Sequence, residues 1–325
     1  MNITIFDTAI GTANIGDEII FKSCEKHIDF LINKSSVMRF ATHLSNFHFY
    51  QYMKNKNIKL QFADNCDYKF ILGTNLLTNN IIKSRGQWFI DLFSKRIYKN
   101  SIMYGVGLTF YDRKPVDAYT KYIYNYILRK DIAHSVRDED SKNFIEKLGY
   151  KAVNTGCPTL WSLNDEHCCN IAKNKSNKVV ITLSGQKKYQ NPEKDIAFLK
   201  IISKNYKTVF FWVQTLNDKE YYESLQVNLN VEYIYSLYHY QQLLNSGDID
   251  YIGTRLHGGI FALQNKVRTI ILAIDNRARS FKKLNNIVSI DRNNIEELDE
   301  MINSKFSTNI YIPENEIKLW LSQFR

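Results

Sequence analysis

The chain has 325 residues, 44% of them hydrophobic and 14% aromatic, with only 4 Pro and 13 Gly. Those proportions supply a sizeable core and exclude a disordered, fibrous or loop-dominated protein, and the length suits two domains better than one. The net charge of +10 points to an acidic partner, yet the lysines are scattered without a long basic run, so a solvated lysine-rich surface accounts for it better.

Residues 2–6 read as a short apolar strand. A polar loop follows over 7–14. Ile15, Ile19, Ile20 and Cys24 then keep helical spacing from about Gly16 onward. Strand, loop, helix is a common opening of α/β folds, which hold ligands at the carboxyl ends of their strands. The loop carries Asn14, Gly16 and Asp17 but no GxGxxG. Asp17 reads equally as a charge on a helix N-terminus and as a functional carboxylate. Next come a strand at 37–40, a helix at 46–54, and a strong strand at 68–72 closing in Gly73-Thr74-Asn75. The pattern continues with a helix at 87–98, a strand at 101–106 ending around Gly105 and Gly107, and a helix at 116–129. A strand at 133–136 stops at Arg137-Asp138. An amphipathic helix at 139–148 and a short strand at 151–153 lead into Gly156-Cys157-Pro158.

The apolar periodicity lapses between 162 and 178, which reads as a polar linker. It then restarts. Strands are expected at 178–183, 207–213, 231–235, 249–252 and 267–274, and helices at 193–204, 218–225 and 240–245. A basic turn follows at 277–283, and helices at 294–302 and 313–324 close the chain. Strand, Gly or polar turn, helix, repeated throughout, predicts an α/β protein of two Rossmann-like doubly wound domains facing a cleft. The expected division is 1–170, on the acceptor side, and 171–325, on the donor side, with the last helix packing back on the first domain.

The stretch 253–263, GTRLHGGIFAL, carries the densest chemistry. It runs from a buried strand into a helix. The first helical turn leaves N–H groups unpartnered, and Gly258 and Gly259 permit close approach to them. Arg255 adds a planar fork for carboxylate or phosphate, and His257 a group that titrates near neutrality. The stretch reads as an anion site with a proton donor, or as an ordinary turn with a surface Arg and a capping His. His27 and His134 read as packing positions, and His43, His48 and His167 as surface residues. Tyr233, Tyr235, Tyr238 and Tyr240 read as core or as a sugar-stacking cluster. The five cysteines are odd in number and lack a CxxC pair, and the N-terminal segment lacks signal-peptide character. No disulfide framework or metal site is therefore expected, and the expected location is a reducing cytoplasm.

Several motifs fall in a recognisable order: Asn14-Ile15-Gly16-Asp17, Gly73 at a strand end, Gly105-Val106-Gly107, Ser135-Val136-Arg137-Asp138, Gly156-Cys157-Pro158 and Arg255-Leu256-His257. Together they resemble the polysaccharide pyruvyl transferase family over nearly the whole chain. The resemblance implies a glycosyltransferase-B-like architecture with phosphoenolpyruvate as donor. Pyruvate would go onto two hydroxyls of a sugar, forming a ketal, in a cell-surface polysaccharide or its lipid-linked precursor. It further implies that Arg137, Arg255 and His257 bind the donor; the helix start at Leu256, Gly258 and Gly259 would add backbone donors. The acceptor-side residues would be Asn14, Gly16, Asp17, Gly73, Thr74, Asn75 and Gly105. The family's glycine-rich triplet survives here only as Gly73 before Thr74 and Asn75.

The chemistry asks for two cationic clamps, a proton for the methylene carbon and a base for the attacking hydroxyl. Arg137 and Arg255 fit the clamps, His257 the general acid and Asp17 the base, with no cofactor or metal. Arg137-Asp138 reads in isolation as a structural ion pair just as well. A nucleotide-sugar glycosyltransferase is the alternative, though 253–263 lacks an acidic residue to grip a ribose. A non-catalytic binder of anionic surfaces ranks third. No nucleic-acid motif is present, while peripheral contact with the inner membrane face is compatible with the charge.

Overall fold

The computed structural model describes residues 1–53, 57–84, 88–111 and 114–325. Lys54 and Gln87, an end and a start of expected helices, lie outside the described residues. The chain forms two compact units. The first comprises residues 1–12, 20–161 and 313–325, the second residues 13–19 and 162–312. The excursion at 13–19 and the return of the C-terminal segment make neither unit contiguous in sequence.

In the first unit four parallel strands run Ser36–Ala41, Asn2–Asp7, Tyr68–Leu72, Ile102–Tyr104 across the sheet. Apart from the edge strand Ser36–Ala41, whose first four residues are exposed or half-buried, the strands are buried on both faces, as a helix-covered parallel sheet requires. Alternate residues divide cleanly: Ile3, Ile5, Phe70 and Ile102 enter one core, Phe6, Ile71 and Met103 the other. His134–Val136 and Ala152–Asn154 extend the layer as a parallel pair, tied on by the Gly105 N–H to Ser135 C=O bond of 3.0 Å. Glu314–Leu321 closes one face, burying Trp320 against Tyr104 at 4.7 Å and donating its indole N–H to the Ala133 carbonyl.

The second unit holds a six-stranded parallel sheet. Its order is Glu232–Ile234, Thr208–Trp212, Lys178–Thr182, Asp250–Gly253, Thr269–Ala273, Ser289–Asp291. Numbered along the chain this is 3-2-1-4-5-6, the dinucleotide-fold order, and its topological switch point lies between Lys178–Thr182 and Asp250–Gly253.

Several expectations shift. The supposed linker holds the helix Asp165–Cys169, capped by Asn164, and His167 is not a free surface residue: it pairs with the Leu263 carbonyl at 2.8 Å. The basic stretch after Thr269–Ala273 is helical over Asn276–Asn285 because Asp275 caps it, accepting the Ala278 N–H at 2.9 Å. Instead of a helix ending near Tyr98, a single 3-10 turn, Ser94–Arg96, lies there among loops. The short helix Ile58–Asp64 and the sixth strand Ser289–Asp291 were too brief for periodicity to reveal.

His27 and His134 are packing residues. His134 is buried, accepts the Met103 N–H on Nδ1 at 3.1 Å and donates from Nε2 to the Arg129 carbonyl at 3.0 Å, which requires the neutral ring. Burial lowers His134 to about 4; burial, then the Lys26 charge, does the same to His27. Both folded values lie below the ordinary 6.5, so the unfolded chain binds more protons throughout that window. Stability is therefore full above the unfolded value and falls as pH drops toward the folded one. We expect a loss of about 2 kcal/mol per histidine between about pH 7 and about pH 5. Urea unfolding across that range, with His134→Gln showing a shallower slope, measures it; a flat profile would refute the assignment.

Candidate functional site

The switch point of the second sheet is built around Gly253. A Cβ there would collide with Thr182 of the neighbouring strand, so only glycine lets the two strands end side by side. Beyond it, the Thr254 hydroxyl accepts the Ser184 N–H at 2.9 Å. Arg255 then takes the N-cap position of helix Leu256–Gln264, in extended backbone and without a side-chain cap. The first-turn donors of this nine-residue helix are therefore left to other partners.

The Arg255 side chain is 10% exposed and forms an ion pair with Asp218, which is fully buried. It also donates to the Thr215 hydroxyl at 3.3 Å. Asp218 is heavily used. It accepts the N–H of Gly185 at 2.8 Å and of Thr215 at 3.1 Å, and closes a capping box on helix Leu216–Ser224. Three buried polar atoms of this neighbourhood, Arg255 Nε, Ser184 Oγ and Gln214 Nε2, have no hydrogen-bond partner among the described residues. Such atoms are open to a hydrogen bond from water or from a bound molecule.

His257 lies half-buried in the first turn of the same helix, and Leu256 is buried. Gly258 and Gly259 face inward. A Cβ on Gly258 would meet Gln214 Nε2 at 2.8 Å and Trp212 at 3.1 Å; one on Gly259 would collide with Ile271. The pair thus brings the helix close onto its sheet. Tyr240 is wholly buried, stacked on Trp212 at 3.8 Å with its hydroxyl on the Gly258 carbonyl, so it is core; Tyr235 and Tyr238 are exposed.

Asn14, Gly16 and Asp17 group with this second unit. The Ile15 N–H donates to the Gln214 carbonyl at 3.3 Å, and a Cβ on Gly16 would sit 3.1 Å from Gln214 Oε1. Asn14 organises the turn, accepting the Gly16 N–H and donating to Asp17, each at 3.2 Å. Gln214 therefore has Gly16 on one side and Gly258 on the other.

The first unit gathers the remaining residues. A Cβ on Gly73 would collide with the Gly105 carbonyl, and Gly105, at φ +69°, lies against Pro158. Thr74 accepts the Gly107 N–H at 2.9 Å. Arg137 lies over Gly107, where any side chain would displace its guanidinium. It donates to Asn75 at 2.7 Å and to the Tyr111 hydroxyl at 3.0 Å, while Asp138 caps helix Glu139–Lys147. Spacing alone did not point to Asp218, Gln214, Ser184 or Thr182. Only Asp218 had a local signal, the Thr215-x-x-Asp218 capping pattern after an apolar strand.

Two Rossmann-like units of parallel sheet define a glycosyltransferase-B-like protein. Solved structures agree on the fold. The chain is similar to Methanocaldococcus jannaschii UDP-GlcNAc 2-epimerase in complex with UDP-GlcNAc and UDP, at 13% identity and a TM-score of 0.56, covering 100% of this chain and 99% of that one. It is likewise similar to S. aureus MnaA with UDP, at 12% identity and a TM-score of 0.54, covering 99% and 95%. The polysaccharide pyruvyl transferase family model matches residues 14–276, and the chain belongs to that family. No curated protein sequence matches it.

Proposed function

We propose that the protein transfers pyruvate from phosphoenolpyruvate to two hydroxyls of one sugar, forming a ketal in a cell-surface polysaccharide or its lipid-linked precursor. The observation that carries this reading is Arg255: a buried guanidinium with an unpartnered Nε, beside a helix N-terminus without a side-chain cap, at a sheet switch point. Such a site suits a compact dianion. In this reading the first-turn N–H groups of Leu256, His257 and Gly258 and the Arg255 fork hold phosphate or carboxylate. Gly259 serves by seating the helix.

His257 then delivers a proton to the methylene carbon, which becomes the methyl group. One sugar hydroxyl adds its oxygen to C2 and the carbon–phosphate oxygen bond breaks. The second hydroxyl adds to the same carbon. One hydroxyl proton balances the proton taken up by the methyl group, and the other leaves with phosphate. Asp17 accepts a proton from the attacking hydroxyl, and Asn14 and Gly16 shape its turn. We assign Gly73, Thr74, Asn75 and Gly105 to the acceptor. Arg137, proposed for the donor from the family resemblance, is tested by its own Ala variant. The work of such an enzyme lies in the cytoplasm, at the membrane face where lipid-linked glycans are made.

A nucleotide-sugar transferase is the second reading, favoured by the UDP-GlcNAc and UDP in the fold relative from M. jannaschii. Thermal-shift titration separates the two. Phosphoenolpyruvate at about 100 times its Kd should stabilise the wild type by about 2.7 kcal/mol. The shift should vanish in Arg255→Ala. A shift with UDP-GlcNAc and none with phosphoenolpyruvate would overturn the pyruvyl-transfer reading.

A further inference from the structure

The first unit carries an apolar surface that its own core does not use. Phe49, Tyr50 and Met53 project from helix Phe49–Met53, Ile58 begins the next helix, and Leu92 and Phe93 precede the turn Ser94–Arg96. All six are about half exposed or more, Met53 and Ile58 to 73% and 76%. Phe49, Tyr50 and Phe93 are neighbours. Phe49 lies 6.0 Å from Tyr50 and 6.4 Å from Phe93, ring to ring. Arg96 ties the three elements into one surface, donating to the Tyr52 carbonyl at 2.8 Å and to Asp64 at 2.5 Å. An exposed aromatic cluster with exposed aliphatic groups on the adjoining elements marks a docking surface.

The charges around it identify the partner. Lys59 stands beside Ile58, and Lys95 and Lys99 follow Phe93; Lys59 and Lys99 are exposed. Lys95 is held against the rings of Tyr122 and Tyr126 at 4.3 and 4.2 Å. The neighbouring acids are already engaged, Asp64 by Arg96 and Asp91 by the N–H groups of Phe93 and Ser94. An apolar patch flanked by Lys59 and Lys99, which have no ion-pair partner among the described residues, would meet its own charge in a second copy of this chain. An anionic bilayer instead offers apolar depth for the rings and negative headgroups for the lysines. Among the described residues no helix is long and apolar enough to cross a membrane, so contact of this kind would be peripheral.

We infer that this face of the first unit docks the protein onto an anionic lipid surface, with Phe49, Met53 and Phe93 entering the headgroup region and Lys59 and Lys99 pairing with lipid phosphates. The inference rests on the lipid-linked-acceptor reading for its purpose, while its physical basis is the patch itself. The test is co-sedimentation of the full chain with phosphatidylglycerol vesicles and with phosphatidylcholine vesicles, at low and high salt. Binding should be confined to the anionic vesicles and weaken with salt. Phe49→Ser/Phe93→Ser should reduce it by about tenfold or more, and Lys59→Gln/Lys99→Gln should flatten the salt dependence. Both pairs lie at the surface, and unchanged melting temperatures verify their folding. Equal binding by the Phe49→Ser/Phe93→Ser variant, no binding to anionic vesicles, or a wild-type dimer that these serines dissociate would each overturn the proposal. Arg255→Ala should bind vesicles normally, so docking and the donor reading can fail separately.

Discussion

Asp218→Ala should lower stability by about 3–5 kcal/mol, the usual cost of leaving one member of a buried ion pair uncompensated. Asp218 is fully buried, and its carboxylate holds Arg255 together with the N–H groups of Gly185 and Thr215. Its removal strands a guanidinium of 10% exposure and opens the capping box of helix Leu216–Ser224. Arg255→Ala should cost less, because the carboxylate it leaves behind keeps two backbone donors and the Thr215 hydroxyl. A double-mutant cycle on urea unfolding measures the coupling, expected at about 1–3 kcal/mol. A loss below about 1 kcal/mol for Asp218→Ala would mean that the pair is solvated in solution. The same variant should also abolish the phosphoenolpyruvate thermal shift, since it leaves the proposed clamp without its anchor.

A second large effect is expected at Arg268. This side chain has no exposure and pairs with Asp250 at 3.0 Å. It also donates to the carbonyls of Met301, Ile302 and Ser304, closing the C-terminal end of helix Leu298–Asn303. Phe306 covers its face at 4.2 Å. Asp250 in turn accepts the Tyr206 hydroxyl at 2.6 Å, and burial raises its carboxyl while the Tyr206 hydrogen bond and the Arg268 charge hold it down. Arg268→Ala orphans three carbonyls and a buried carboxylate at once, and should cost about 3–5 kcal/mol. Arg268→Met, which keeps the packing volume but none of the donors, should recover little of it. Recovery to near wild type would show that packing, and not the ion pair, holds the segment. The proposed donor binding at the switch point should persist in any Arg268 variant that remains folded.

What was legible in the sequence follows from local physics. Parallel strands buried on both faces must be apolar runs, so nearly all the long strands announced themselves, and with them the α/β class. Strand ends must turn, so Gly73, Gly105 and Gly253 stood out, and each does meet a backbone or side chain that a Cβ would strike. The stretch from Gly253 into helix Leu256–Gln264 was likewise visible, because a strand-to-helix turn writes its signature in consecutive residues.

Partners distant in the chain leave no such period, and the tertiary structure decided them. Asp218 reaches Arg255 across 37 positions. Gln214 finds Gly16 and Gly258 because three separate segments converge at one sheet end, which brings residues 13–19 into the second unit. Arg268 sat unremarked within an apolar strand, since its compensation comes from Asp250 and from a helix end more than thirty residues on. Composition and periodicity determined which segments would be strands and helices. Only packing decided which charged groups would share a low-dielectric space, because that energy depends on distance in the fold and not along the chain.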